Sequence, residues 1–187
     1  ALENVAPILV RAVLVTEDAR FFDHHGIDYV GIGRALIANV QSGKVRQGGS
    51  TLTQQLMKNF FLSSERTYQR KLHEIAMALV AEQEYSKEKI LEAYLNEIYL
   101  GAGVYGVQAA AESYFAKNIE DLTLGEMSLL AGLPPAPSRF SPIKNPKAAK
   151  TKQAYVLRRM VEEGYISVDE MKAAKAEQAE KNVQSKE

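Results

Sequence analysis

Helix start and stop signals punctuate this chain at short intervals, and they constrain its fold more than any other feature. Thr123 with Glu126 three residues on is a capping box, and Gly132, Pro134 and Pro135 end the helix it opens. Asn145–Pro146 places a capping residue and a first-turn proline ahead of Tyr155, Val156 and Met160, with Gly164 as terminator. Ser167 and Glu170 begin one more helix, whose tail runs into Glu, Lys and Gln and is expected to fray from about residue 178. Upstream, Ser86 precedes Ile90, Leu91, Tyr94, Leu95 and Ile98, an apolar helix halted at Gly101 and Gly103. Leu72, Ile75, Ala76 and Leu79 keep the i, i+3, i+4, i+7 spacing of a buried stripe. Strand signals are scarce. The chain is read as mainly α-helical, with room for a short hairpin only in its least regular stretch, about 20 to 50. There Asp28 is a candidate cap for a helix ending near Gly43, and Thr51 with Gln54 forms a second candidate capping box.

Composition narrows the function classes. A chain of 187 residues is long enough to bury a core, and residues 1–187 are read as one domain. The formal net charge is zero, which argues against a general nucleic-acid partner. Without cysteine there is no disulfide, thiolate metal site or cysteine nucleophile. Without tryptophan, any stacking on sugars falls to the nine tyrosines and six phenylalanines. No run approaches the roughly 18 to 20 apolar residues of a membrane span.

Two carboxylates bracket the chemistry-bearing part. Glu17 opens Glu-Asp-Ala-Arg-Phe-Phe-Asp-His-His-Gly, and Glu74 closes Arg70-Lys71-Leu72-His73-Glu74. Between them lies a run of small, hydroxyl, amide and cationic residues from Gly48 to Asn59. Paired acids on either side of such a segment suit work on a glycosidic bond. On helical spacing Arg66, Arg70, Lys71 and Glu74 share one face, opposite the apolar stripe; a solvated face with i, i+4 ion pairs is the plainer account. With Lys58 nearby, these cations suit a phosphate-bearing substrate better than a neutral polysaccharide. Gly48-Gly49-Ser50 before a helix start offers backbone N–H groups to an anion, but lacks the spacing of a nucleotide-binding P-loop. His24, His25 and His73 have no metal-ligand spacing, and Ser50 has no evident catalytic triad.

Together these runs resemble the peptidoglycan glycosyltransferase domain of class A penicillin-binding proteins and their monofunctional relatives. The likeness is carried, in order, by Glu17-Asp18-x-x-Phe21-x-x-His24-x-Gly26, by Gly48-Gly-Ser-Thr-x-Thr-Gln-Gln55-Leu-x-Lys58-Asn59 and by Arg70-Lys71-x-x-Glu74. It continues through Lys89-Ile-Leu-Glu92-x-Tyr94-Leu-Asn96-x-Ile98 to Leu130-Ala-Gly-Leu-Pro-Pro-Ala-Pro-Ser138-Arg139, spanning about residues 10 to 146. Phe140 stands where that family commonly has tyrosine.

The resemblance implies a lysozyme-like fold of two lobes around a catalytic cleft, and an inverting enzyme that polymerises lipid II into β-1,4 glycan with release of undecaprenyl pyrophosphate. It implies Glu17 as general base; spacing alone does not separate Glu17 from Asp18. Ser50, Thr51, Gln54, Gln55, Lys58, Asn59, Arg66, Arg70 and Lys71 are the implied substrate-binding set. Glu74 is left as an orienter of those cations, a ligand of a divalent ion (Mg2+ or Mn2+), or a direct aid to departure. No other cofactor is expected. The implied partners are lipid II, the growing glycan and the membrane interface at the outer face of the bacterial cytoplasmic membrane. The chain is expected to belong to a larger anchored protein, with or without a transpeptidase domain. Phe21, Phe22, Ile27, Tyr29, Val30, Ile32, Leu36 and Ile37 form an apolar region that serves either as core or as a surface dipping into lipid. A muramidase or lytic transglycosylase, and a non-catalytic helical scaffold of the wall machinery, are the competing readings.

Overall fold

The computed structural model describes residues 2–43, 48–61 and 67–184. Among them are α1 (Pro7–Glu17), α2 (Tyr29–Ser42), α3 (Leu52–Phe61), α4 (Tyr68–Glu84), α5 (Lys87–Glu97), β1 (Tyr99–Gly101), β2 (Val104–Tyr105), α6 (Val107–Phe115), α7 (Leu124–Ala131), α8 (Pro146–Glu162) and α9 (Val168–Gln184). The protein is mainly α, as its capping signals predict. Two units divide the chain: Ala1–Glu17 with Ile98–Glu187, and Asp18–Glu97.

In the first unit α7 is the central helix. Every residue from Gly125 to Ala131 is buried, because this helix is apolar except for Glu126 and Ser128, whose polar groups are bonded, and it can be stable only when surrounded. α1 and α8 pack against it and against each other, and α9 packs on α7 and α8. The predicted capping box is complete: Thr123 accepts from the Glu126 N–H and Glu126 accepts from the Thr123 N–H. Lys117 donates to the same carboxylate at 2.9 Å. Gln153 reaches from α8 to donate to the Gly125 carbonyl at 2.7 Å, so one of the few polar side chains in this core is satisfied. α8 starts at Pro146 as predicted, but Asn145 donates its side-chain amide to the Ser138 carbonyl instead of capping.

One expectation needs correcting here. The hairpin lies at Tyr99–Gly101 and Val104–Tyr105, not within 20 to 50. Gly101, Ala102 and Gly103 all take positive φ (96°, 54° and 79°), so the glycines read as helix stops also make a tight reversal. The C-terminal helix, α9, runs from Val168 to Gln184. Its start is pinned by Ser167 and Glu170, which bond each other reciprocally, and Ala174 is buried. Its Ala-, Glu-, Lys- and Gln-rich tail is good helix material.

In the second unit α3 packs on α4 and α5. Tyr94, fully buried on α5, donates to Gln55 Oε1 at 3.3 Å. Lys87 caps a buried corner, its ammonium 2.8 Å from Glu82 and 4.2 Å from the centre of the Phe21 ring. Thr53 donates to the same Glu82.

The largest departure is in α4. Leu72 is 66% exposed and Leu79 39%, while Glu74, Ala78 and Ala81 turn inward, Glu74 with 3% exposure. The apolar stripe faces out and the polar face is packed. α2 does the same: of its residues only Ala35 is buried, and Tyr29, Val30, Leu36, Ile37 and Val40 are each more than half exposed. The apolar region of residues 21 to 37 therefore divides. Phe21 is core, and Phe22 and the α2 side chains are surface. Asp28 precedes α2, yet its carboxylate pairs with Arg20 Nε at 3.3 Å and makes no side-chain cap. Among the described residues, no helix is long and apolar enough to cross a membrane.

Candidate active site

The inward face of α4 explains why a carboxylate tolerates burial there. Lys71, one turn earlier, donates to Glu74 Oε1, and Arg70 Nη1 stands 3.5 Å from Oε2. Burying a carboxylate without such partners is strongly unfavourable. The Lys71 ammonium has three donors and uses all of them: the others go to Ser50 Oγ at 2.9 Å and Gln54 Oε1 at 3.0 Å. The start of α3 and the first turns of α4 are thereby joined through one nitrogen. Arg70 Nε is buried and makes no hydrogen bond.

Gln54 is held from its other end. Its amide nitrogen donates to the Gly26 carbonyl at 3.2 Å, and Thr51 Oγ1 donates to the same oxygen at 2.8 Å. Gly26 has φ +88°, and a Cβ there would lie 3.1 Å from the Ala78 carbonyl oxygen, so this approach of loop to helix needs glycine. Thr51 also accepts from the Gln54 N–H at 3.2 Å. Half of the second predicted capping box thus forms; the Gln54 side chain serves Gly26 and Lys71 instead.

A second buried pair supports this one. His24 Nε2 lies 3.0 Å from both Asp18 oxygens, and Asp18 Oδ2 accepts from the Leu52 N–H at 2.9 Å. Asp18 caps the first N–H of α3 from 34 residues upstream, while Thr51 takes the Gln54 N–H locally. Sequence reasoning gave His24 no metal-ligand spacing and left Asp18 as a rival of Glu17. The only trace of their partnership was the spacing Glu17-Asp18-x-x-Phe21-x-x-His24.

The structure therefore brings together Ser50, Thr51, Gln54, Arg70, Lys71 and Glu74. Gln55 sits on the α5 side of α3, bonded to Tyr94. Lys58 and Asn59 are exposed, and no hydrogen bond or ion pair joins them to the Lys71 cluster, although Lys58 lies one turn beyond Gln54. Arg66 lies outside the described residues. Glu17, the last residue of α1, is half-buried and belongs to the first unit, where burial lowers the pKa of Lys152 on α8 and the charge of Glu17 partly opposes that fall. Among the described residues no group of three or more acidic or histidine side chains is arranged for a metal. The Glu74 carboxylate faces two cations, Lys71 and Arg70.

Fold and site define a class: a mainly α-helical enzyme domain centred on a buried carboxylate held between two cations, with hydroxyl and amide groups around them. The transglycosylase family model matches residues 1–161, and the chain belongs to that family. Penicillin-binding protein 1A of Neisseria flavescens is 51% identical over 177 residues, covering 95% of this chain. The proteins of the same name from Vibrio cholerae and Escherichia coli K12 are 51% and 49% identical over 176 residues. The chain spans 22% of the length of the first of these and 21% of the others. A crystal structure of penicillin-binding protein 1A from Haemophilus influenzae aligns with 65% of this chain and 15% of its own, at 40% identity and a TM-score of 0.47.

Proposed function

We propose that this chain is the peptidoglycan glycosyltransferase portion of a larger, membrane-anchored penicillin-binding protein, and that it polymerises lipid II at the outer face of the cytoplasmic membrane. The 4-hydroxyl of the acceptor N-acetylglucosamine attacks C1 of the donor muramyl sugar, and Glu17 takes the hydroxyl proton. The bond from C1 to the diphosphate oxygen breaks with its electron pair, undecaprenyl pyrophosphate departs, and the α-linked donor becomes a β-linked product.

The observation that carries this reading is the Lys71 centre. A diphosphate is already a weak base, so its departure needs positive charge more than a proton. Lys71 and Arg70 supply that charge from a preorganised position, with Glu74, Ser50 and Gln54 fixing the ammonium. Glu74 is then an orienter of cations. A divalent ion, on this reading, accompanies the diphosphate and does not bind Glu74; Glu74→Gln leaves the divalent-ion dependence of polymerisation unchanged, and loss of that dependence would return Glu74 to the metal. A hydrolase cutting a neutral glycosidic bond has no use for such a clamp, which disfavours the muramidase alternative.

The exposed apolar faces of α2 and α4 are the seat on the bilayer that a lipid-borne substrate requires. The test is Glu17→Gln: polymer from lipid II disappears while thermal stability and lipid II binding persist. Retained turnover rejects Glu17 as base, and release of muropeptides from sacculi by the parent chain rejects synthesis.

A further inference from the structure

One stretch of the first unit carries charge of a single sign. From Met127 to Val161 there is no aspartate or glutamate, while lysines and arginines recur, in a chain whose formal net charge is zero. Within that stretch lies a cavity of about 360 Å³ lined by Arg139, Phe140, Ala148, Thr151, Lys152 and Tyr155. Its size falls at the lower end of small-molecule sites, about 300–1,000 Å³.

The cations of this cavity are held against aromatic rings and make no direct ion pair among the described residues. The Lys152 stem runs so close to the end of α7 that a Cβ on Gly132 would lie 2.9 Å from its Cγ. Its ammonium stands 4.6 Å from the Tyr155 ring centre and 5.9 Å from that of Phe140, and the Arg139 guanidinium is 5.5 Å from Phe140. Ring faces orient a cation without removing its charge. Neither Arg139 nor Lys152 forms an ion pair among the described residues. Burial pushes the Lys152 ammonium's pKa down, and the charge of Glu17 only opposes that fall. A partly desolvated cation of this kind gains from an arriving anion. The aromatic walls and the Ala148 methyl suit an apolar body on that anion, and the Thr151 and Tyr155 hydroxyls add polar contacts.

We propose that this cavity is a subsite for a carboxylate-bearing, partly apolar ligand. Resting on the function proposed above, that ligand is the acidic peptide carried by the muramyl sugar.

The experiment is an amide NMR titration of the purified chain with synthetic N-acetylmuramyl pentapeptide, its carboxylates free or amidated. The free acid should bind saturably, with shifts concentrated at Thr151, Lys152 and Tyr155. Affinity should fall at least tenfold on amidation, and at least tenfold in Lys152→Gln and in Arg139→Gln. Arg139 is exposed, so its variant keeps the parent's melting temperature even if Lys152→Gln does not. Absent binding, equal affinity for the amidated peptide, shifts elsewhere, or unchanged affinity in Arg139→Gln each overturns the assignment. Failure of the polymerase reading has a different signature, since no polymer would form from lipid II while the titration stayed intact.

Discussion

Replacing Lys71 tests the site most severely, because one nitrogen there meets three acceptors. In Lys71→Met, Ser50 and Gln54 lose a donor, and the Glu74 carboxylate, 4% exposed, keeps only Arg70 at 3.5 Å. Breaking a fully buried ion pair costs about 3–5 kcal/mol. The Lys71 side chain is 39% exposed, so water partly replaces the lost ammonium and about 2 kcal/mol is expected. For a chain of this length that lowers the melting temperature by roughly 4–8 °C. The double variant Lys71→Met/Glu74→Gln removes the stranded charge as well and should recover about 1 kcal/mol. Catalysis should behave differently. Losing a preorganised cation at a developing negative charge costs about 10²–10³ in rate, and the second substitution does not restore it. Denaturant melts and polymer formation from lipid II, measured on the same preparations, separate the two effects. If turnover returns together with stability in the double variant, Lys71 and Glu74 are only a structural ion pair and the clamp reasoning is wrong.

Two other outcomes follow from the same geometry. Asp18→Asn weakens the buried pair with His24 and the cap on Leu52, and should cost about 3 kcal/mol by chemical denaturation, whereas Asp23→Asn on the exposed side of the same loop should cost under about 0.5 kcal/mol; equal losses would discount the cap. Leu36→Glu with Ile37→Glu replaces side chains 63% and 60% exposed, so the melting temperature should hold while sedimentation with phospholipid vesicles falls several-fold; undiminished vesicle binding would remove α2 from the membrane seat.

Much of this site could be read along the chain because its parts are local. Arg70, Lys71 and Glu74 are neighbours at helical spacing, and Thr123 with Glu126 or Ser167 with Glu170 close their bonds within four residues. What escaped were bonds between distant segments. Nothing in the run around His24 says that Asp18 will cap a helix beginning at Leu52, and nothing around Thr53 points to Glu82. Lys58 shows the converse: it lies next to the right residues in sequence, yet it stays exposed beside a cluster it does not join.

Local pattern determined that this protein is helical, where its helices start, and that α4 has one polar and one apolar face. Periodicity is blind to which of the two faces turns inward, because that depends on what the other helices offer. Here α3 and the segment just before it present Gln54 and Ser50, which can satisfy Lys71 and let Glu74 be buried, so the charged face goes in and Leu72 and Leu79 are left outside. Only the tertiary structure could decide that, since the hydrogen-bond partners that make the burial tolerable come from another part of the chain.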